Sequence, residues 1–288
     1  MEPKKSIDRD PSAARIPFSD TPQDTVLPAV KKVDTPPDPS AKKPPKKAVI
    51  EIKNLYKNFG IVRGEVKVLR DINFTIHEGE FLLILGPSGS GKSTLLNAIL
   101  GLELPSAGNI VINGKDITKM TPDERATFRL KNVGIIFQKP DWIKSLSVIE
   151  NVAFPLAAAE STPQDQFTGA KKHLESVGML GHADFRPYQL SAGQQELVEF
   201  ARAMVLDPHM IIADEPTGNL DSDSANKVME MFQALNEKQG ATIIMVTHNI
   251  GHVKYASRTI YLKDGKILDG SSAYTAADLE ELEATPVI

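Results

Sequence analysis

The chain has no cysteine in its 288 residues. That excludes disulfides, thiolate metal sites and thiol nucleophiles, and leaves oxygen, nitrogen or a hard cation to carry any catalysis. An excess of positive charge is also lacking. The formal net charge is −4, which offers no basic footprint for the phosphate backbone of DNA or RNA, so nucleic acid is not an expected partner. Long apolar runs are missing as well: FLLIL (81–85), MIIA (210–213) and TIIMV (242–246) fall far short of the roughly 20 residues that a spanning helix needs. The first ten residues, MEPKKSIDRD, carry lysines with no apolar stretch behind them, which is not the pattern of a secretory signal. The expectation is a cytosolic protein that does not itself cross a membrane.

What is present is unevenly distributed. Residues 1–47 hold ten of the 20 prolines and no glycine, mixed with Lys and Asp. Such a segment buries too little apolar area to offset its ordering entropy and is expected to be a disordered tail. Its KKPPKK (42–47) suits either a solvated spacer or a basic segment held at an anionic lipid surface or a partner. At the other end, residues 271–288 read as an acidic tail containing AADLEELEA, a helix candidate with a solvated surface.

Between the tails, about 48–270, the hydrophobic periodicity alternates between strand and helix. AVIEIKNL (48–55), KVLRDINFTI (67–76) and EFLLILG (80–86) read as strands, with HEGE (77–80) as a turn. TLLNAILGL has helical spacing and stops near Gly101, NIVINGKDI (109–117) is a hairpin turning at Asn113-Gly114, and VGIIFQ (133–138) is a buried strand. Residues 151–159, 165–177 and 194–205 read as helices, which makes about 140–205 a helical insertion in an α/β core. The core resumes with MIIADEP (210–216), a helix over 223–237, TIIMVTH (242–248) and a closing pair, RTIYLKDG and KILDG. No internal repeat is present.

Chemistry concentrates at the strand ends. GPSGSGKS (86–93) fits G-x-x-x-x-G-K-[ST] between a strand and a helix, the context that a phosphate-binding loop requires. Glycines at 86, 89 and 91 let successive backbone N–H groups face one concavity, and the following helix adds its positive end. Gly86, Pro87, Ser88, Gly89, Ser90, Gly91, Lys92, Ser93 and Thr94 are therefore the expected phosphate-binding residues, with Lys92 on the terminal phosphates and the Ser93 hydroxyl on Mg²⁺. In MIIADE the strand ends in two adjacent carboxylates that point to opposite faces. Asp214 is expected in the Mg²⁺ shell and Glu215 as the base that orients the attacking water; standing alone, the pair would read as a strand end and an acidic turn. Gln138 and His248 each follow an apolar strand, and a parallel sheet would gather them at one edge with the glycine loop. Ser191 reads as the N-cap of a helix, with Gly193 following. That is either a second anion-binding terminus or a simple cap.

GPSGSGKST, the Gln138 strand end, LSAGQQ, IIADEPTGNLD and VTHN occur in the order and approximate spacing of ATP-binding cassette (ABC) ATPases, the nucleotide-binding subunits of ABC transporters, and the resemblance covers about Val49 to Gly270. It implies an ABC ATPase fold: an α/β P-loop NTPase (RecA-like) core with an antiparallel β subdomain and a helical insertion. It implies ATP hydrolysis with Mg²⁺, a head-to-tail cassette homodimer in which Ser191, Gly193 and Gln194 contact the ATP of the other copy, and integral membrane permease subunits on a separate chain at the inner face of the cell membrane. Phe59 resembles the aromatic that stacks on adenine, with Tyr56 as a rival. Gln138 resembles the residue that senses Mg²⁺ and the membrane subunit, His248 the switch histidine at the γ-phosphate, and Asp221 the D-loop aspartate. The wording ADEPTGNLD is most similar to the branch of lipoprotein-release, macrolide-export and cell-division ATPases, which implies export or extraction of an amphipathic substrate or, alternatively, mechanical control of an envelope partner without transport. Departures from the family pattern are Ala192 for a second Gly, Glu196 for Gln and Leu197 for Arg. These point to a weaker contact across the dimer, slow hydrolysis or a specialised partner. Trp142, the single tryptophan, is either an anchor for the permease's coupling helix in PDWIKSLSV (140–148) or an ordinary packed aromatic.

Overall fold

The computed structural model describes residues 47–62 and 64–268. The expected N-terminal tail, apart from Lys47, and the acidic C-terminal tail lie outside the described residues. Among the described residues ten strands and six α-helices follow one another: β1 (Ala48–Ile61), β2 (Gly64–His77), β3 (Phe81–Leu85), α1 (Lys92–Ile99), β4 (Ala107–Ile112), β5 (Lys115–Asp116), α2 (Pro122–Asn132), β6 (Val133–Ile136), α3 (Val148–Ala158), α4 (Pro163–Ser176), α5 (Ala192–Met204), β7 (Met210–Asp214), α6 (Ser222–Gln239), β8 (Thr242–Thr247), β9 (Arg258–Lys263) and β10 (Lys266–Leu268).

Two sheets result. The first, β2-β1-β4-β5, is antiparallel throughout; the second, β10-β9-β3-β8-β7-β6, is parallel except for its β10 edge. This is the expected α/β class with an antiparallel β subdomain. The parallel strands are short apolar runs because both of their faces are covered. Leu82, Ile84, Ile212, Ile244 and Val246 point into a core shared with β1, β2, β4 and α1. Their neighbours Phe81, Leu83, Leu85, Ile211, Ala213, Ile243 and Met245 point into a second core against α5 and α6. A third core, built from α3, α4 and the inner face of α5, holds Val148, Val152, Ala170, Leu174 and Val198.

Local chemistry explains most element boundaries. Asn113 (φ 49°) and Gly114 (φ 75°) both take the left-handed conformation that a two-residue hairpin turn requires. Thr121, Ser147 and Ser191 each close a capping box with a Glu or Gln three residues on. Two features escape the periodicity reading. The strand expected to end at Leu55 continues to Ile61, because register shifts after Ile52, Leu55 and Lys57 break the in-out alternation while the pairing to β2 persists. Helix α2 escapes the periodicity reading: none of its residues is fully buried and Phe128 packs only partly buried against the core, although TPDE at its start is a capping-box signal.

Candidate functional site

The register of the parallel sheet brings the chemistry to one edge. Leu85 pairs with Thr247, Val246 with Asp214, and Ala213 with Ile136. The residues just beyond these strands are therefore the glycine loop, Glu215, His248 and Gln138. This is the C-terminal edge of a parallel sheet at which open α/β folds place their ligands.

The glycine loop is shaped by close contact as much as by torsion. Gly89 (φ 78°) and Gly91 (φ 103°) adopt left-handed backbone. A side chain at Gly86 would put its Cβ 2.1 Å from the Leu262 carbonyl oxygen, so only glycine lets the loop leave β3 against β9. The β9–β10 turn braces the loop from the other side, the Gly265 N–H donating to the Ser90 carbonyl at 3.1 Å. Ser88 and Gly89 lie exposed at the tip, and Thr94 is half-buried on the first turn of α1. Lys92 is buried, and its ammonium donates to the carbonyls of Gly86 (2.7 Å) and Pro87 (3.0 Å). Burial lowers its pKa, opposed by the nearby charges of Glu215 and Asp214.

The two carboxylates after β7 are held differently, as strand alternation requires. Burial raises the Asp214 pKa, opposed by a hydrogen bond from the Ser93 side chain, while the Glu215 charge raises it further and Lys92 lowers it. Asp214 Oδ1 is buried without a hydrogen-bond partner. An oxygen with free lone pairs beside a serine hydroxyl is the donor chemistry of Mg²⁺, which takes one or two protein oxygens and leaves the rest of its shell to water and phosphate. Among the described residues there is no group of three or more His, Cys, Asp or Glu side chains placed to hold a metal ion.

Glu215 turns into the left-handed region (φ 48°), a conformation that costs a non-glycine residue of order 1–3 kcal/mol and concentrates at functional sites. Its backbone is pinned on both sides: its N–H donates to the Val246 carbonyl and its carbonyl accepts from Gly218 N–H, each at 3.0 Å. The side chain is buried and equally constrained. Oε2 accepts from the Thr247 hydroxyl at 3.0 Å, and Oε1 lies 2.9 Å from His248 Nδ1. A carboxylate at Nδ1 fixes the imidazole proton on that nitrogen and leaves Nε2 for another partner. Thr247 and Asn219 are site residues that the sequence reading missed; the Asn219 amide donates to the Gln138 carbonyl at 3.3 Å. Gln138 itself is exposed two residues beyond β6.

The structure therefore gathers Lys92, Ser93, Asp214, Glu215 and His248, with Gln138 on the adjacent strand end. The remaining candidates lie on other elements. Ser191 is exposed at the N-terminus of α5, where it caps the helix by accepting from Gln194 N–H (3.3 Å) while its own N–H donates to Gln194 Oε1 (2.9 Å). Gln194 Nε2 also contacts His182 Nε2 at 3.2 Å. A Cβ at Gly193 would sit 3.3 Å from Ser224 Oγ, at the start of α6. Asp221 caps α6, its carboxylate accepting from Asp223 N–H, Ser224 N–H and the Ser224 hydroxyl, and these bonds, led by Ser224 N–H, lower its pKa. Phe59 is exposed on β1 with the Lys57 ammonium 4.8 Å from its ring centroid. Its rival Tyr56 lines a different cleft, of 390 Å³, together with Lys67, Arg70 and Lys266. Trp142 is partly buried against the helical core, and its indole N–H donates to Gln195 at 3.0 Å.

Over residues 69–218 the chain matches the ABC transporter family. It is 48% identical over 223 residues to an uncharacterized ABC transporter ATP-binding protein of Methanocaldococcus jannaschii, covering 77% of this chain and 98% of that one. It is 39% identical over 228 residues to the macrolide export ATP-binding/permease protein MacB of Syntrophobacter fumaroxidans; the match covers 78% of this chain but spans only 32% of that longer relative. Among solved structures, the dimeric post-hydrolysis state of the ATP-binding cassette MJ0796, bound to ADP and Pi, superposes with a TM-score of 0.73 at 35% identity, covering 78% of this chain and 99% of that one.

Proposed function

The chain belongs to the ABC transporter ATP-binding proteins and is an ABC ATPase, and from that premise we propose that two copies sandwich ATP head to tail and drive permease subunits carried on a separate chain. The observation that carries the reading is Glu215, strained into left-handed backbone and clamped between Thr247 and His248 at the same sheet edge as Lys92.

Each residue then has a defined task. The glycine loop from Gly86 to Thr94 wraps the phosphates with backbone N–H groups, and Lys92 exchanges its two carbonyl partners for phosphate oxygens. Ser93 and Asp214, joined by Gln138, would hold Mg²⁺, which neutralises charge on the β- and γ-phosphates. Glu215 accepts the proton of the attacking water as its oxygen bonds to the γ-phosphorus and the bond to the β-phosphate oxygen breaks, leaving ADP and phosphate. His248, its Nδ1 committed to Glu215, presents Nε2 to the γ-phosphate. Phe59 stacks on adenine. Ser191, Gly193 and Gln194 meet the phosphates of the other copy, with Asp221 at the junction. Export or extraction of an amphipathic substrate is supported by the similarity to macrolide export proteins. A permease on a separate chain would hold this subunit at the inner membrane face. Among the described residues no helix is long and apolar enough to cross a membrane.

Replacing Glu215 by Gln tests this reading. The amide keeps the size and one acceptor but cannot take the proton, so turnover should fall by about 10²–10⁴-fold while ATP binding persists. ATP should then trap a dimer, visible by size-exclusion chromatography with light scattering. Unmodified turnover, or a variant that stays monomeric with ATP bound, rejects the assignment.

A further inference from the structure

Beyond β6 the chain runs Phe137-Gln138-Lys139-Pro140-Asp141-Trp142. Three side chains at helical spacing on α5 bind this segment. Glu199 Oε1 accepts from the Phe137 backbone N–H at 2.9 Å. Arg202 donates to the Asp141 carbonyl at 2.9 Å, and its guanidinium lies 4.6 Å from the centre of the Trp142 ring. Gln195 Oε1 accepts the Trp142 indole N–H at 3.0 Å, and Gln195 Nε2 ties back to the Leu190 carbonyl just before Ser191. None of these groups belongs to the nucleotide chemistry proposed above.

Glu199 is the costly member of the set. It is wholly buried, its Oε2 has no hydrogen-bond partner, and Arg202 stands 3.6 Å from Oε1. Burial pushes its carboxyl up to about 7 against the opposing pull of Phe137 N–H and Arg202. An apolar side chain would pack at this point of the helix without any desolvation cost, but it could not bond the backbone that precedes Gln138.

We infer that Glu199 is a positioning residue that fastens the Gln138 segment to α5, so that Gln138 and the Ser191 end of the helix shift as one body when nucleotide binds. The inference rests on the proposed nucleotide roles of Gln138 and Ser191. The fastening is rigid because it is made at three points: a backbone bond, a stacked guanidinium and an indole bond. It transmits displacement between two sites that lie on different elements.

Full-length protein with ATP and Mg²⁺ provides the test. In Glu199→Ala, kcat should fall at least fivefold while KM for ATP stays within twofold, because the glycine loop is untouched. Glu199→Gln keeps an oxygen that accepts Phe137 N–H and should restore most of kcat. Trp142, the single tryptophan, reports the fastening directly: its emission change on adding ATP should be lost in Glu199→Ala and kept in Glu199→Gln. The inference is overturned if Glu199→Ala retains full kcat and emission change while Gln138→Ala lowers kcat. It is also overturned if both Glu199 variants lose kcat equally and in step with melting temperature, which is the mark of a merely structural residue. Unchanged kcat in Gln138→Ala would instead remove the site reading on which the inference stands.

Discussion

Replacing Glu196 by Gln should stabilise the protein, and by an amount that depends on pH. Glu196 is buried on α5 one turn before Glu199, and burial, with the Glu199 charge adding to it, raises its carboxyl from 4.5 to about 8. An acid whose folded pKa is raised binds its proton more tightly in the folded state, so the unfolded state gains on it as pH rises. The penalty is absent below about pH 4.5, grows through the window up to about 8 and is complete above it. At about 1.4 kcal/mol per pKa unit, raising the carboxyl from 4.5 to about 8 corresponds to a full penalty on the order of 5 kcal/mol. For a domain of this size 1 kcal/mol moves the melting temperature by about 2–4 °C, so Glu196→Gln should melt about 10–20 °C above the parent at pH 8.5 and within a few degrees of it at pH 5. Differential scanning calorimetry at matched ionic strength between these limits gives both curves. Parallel curves, or no gain at pH 8.5, refute the argument and show that the carboxylate is solvated in the folded protein.

Other consequences concern the nucleotide site. Lys92→Ala removes the one ammonium buried against Asp214 and Glu215 among the described residues, and should weaken ATP binding at least tenfold in isothermal titration calorimetry; unchanged affinity rejects its phosphate contact. Gly86→Ala forces a Cβ to within 2.1 Å of the Leu262 carbonyl oxygen and should destabilise the protein by about 1–3 kcal/mol while reducing ATP affinity. Gly89→Ala meets nothing within 4 Å and carries only the strain of φ 78°, about 1–2 kcal/mol, so equal effects of the two changes on affinity would contradict the packing account. Glu215→Gln, with retained ATP binding and a trapped dimer, completes the set.

What the amino-acid order determined by itself is whatever depends on a few neighbouring residues. A glycine loop between a strand and a helix, an Asp-Glu pair closing an apolar strand, a Ser three residues before a Gln and an Asn-Gly hairpin all state their local geometry through torsion, alternation or capping, and each is found in the fold. Strand ends that were expected at one edge share it because β3, β6, β7 and β8 run parallel, so their C-terminal ends lie side by side. Tertiary structure alone decided the rest. The Glu215 bond to Thr247 joins residues 32 positions apart, and the Phe137 bond to Glu199 joins residues 62 apart. Sequence patterns carry no such distances. Glu199 did leave a trace, as a carboxylate among the buried positions of an amphipathic helix, but the pattern shows only that it is out of place. Its partner is chosen by the packing of α5 against the end of β6, and so is the cost of its burial, because desolvation depends on every group that surrounds the carboxylate rather than on its neighbours along the chain.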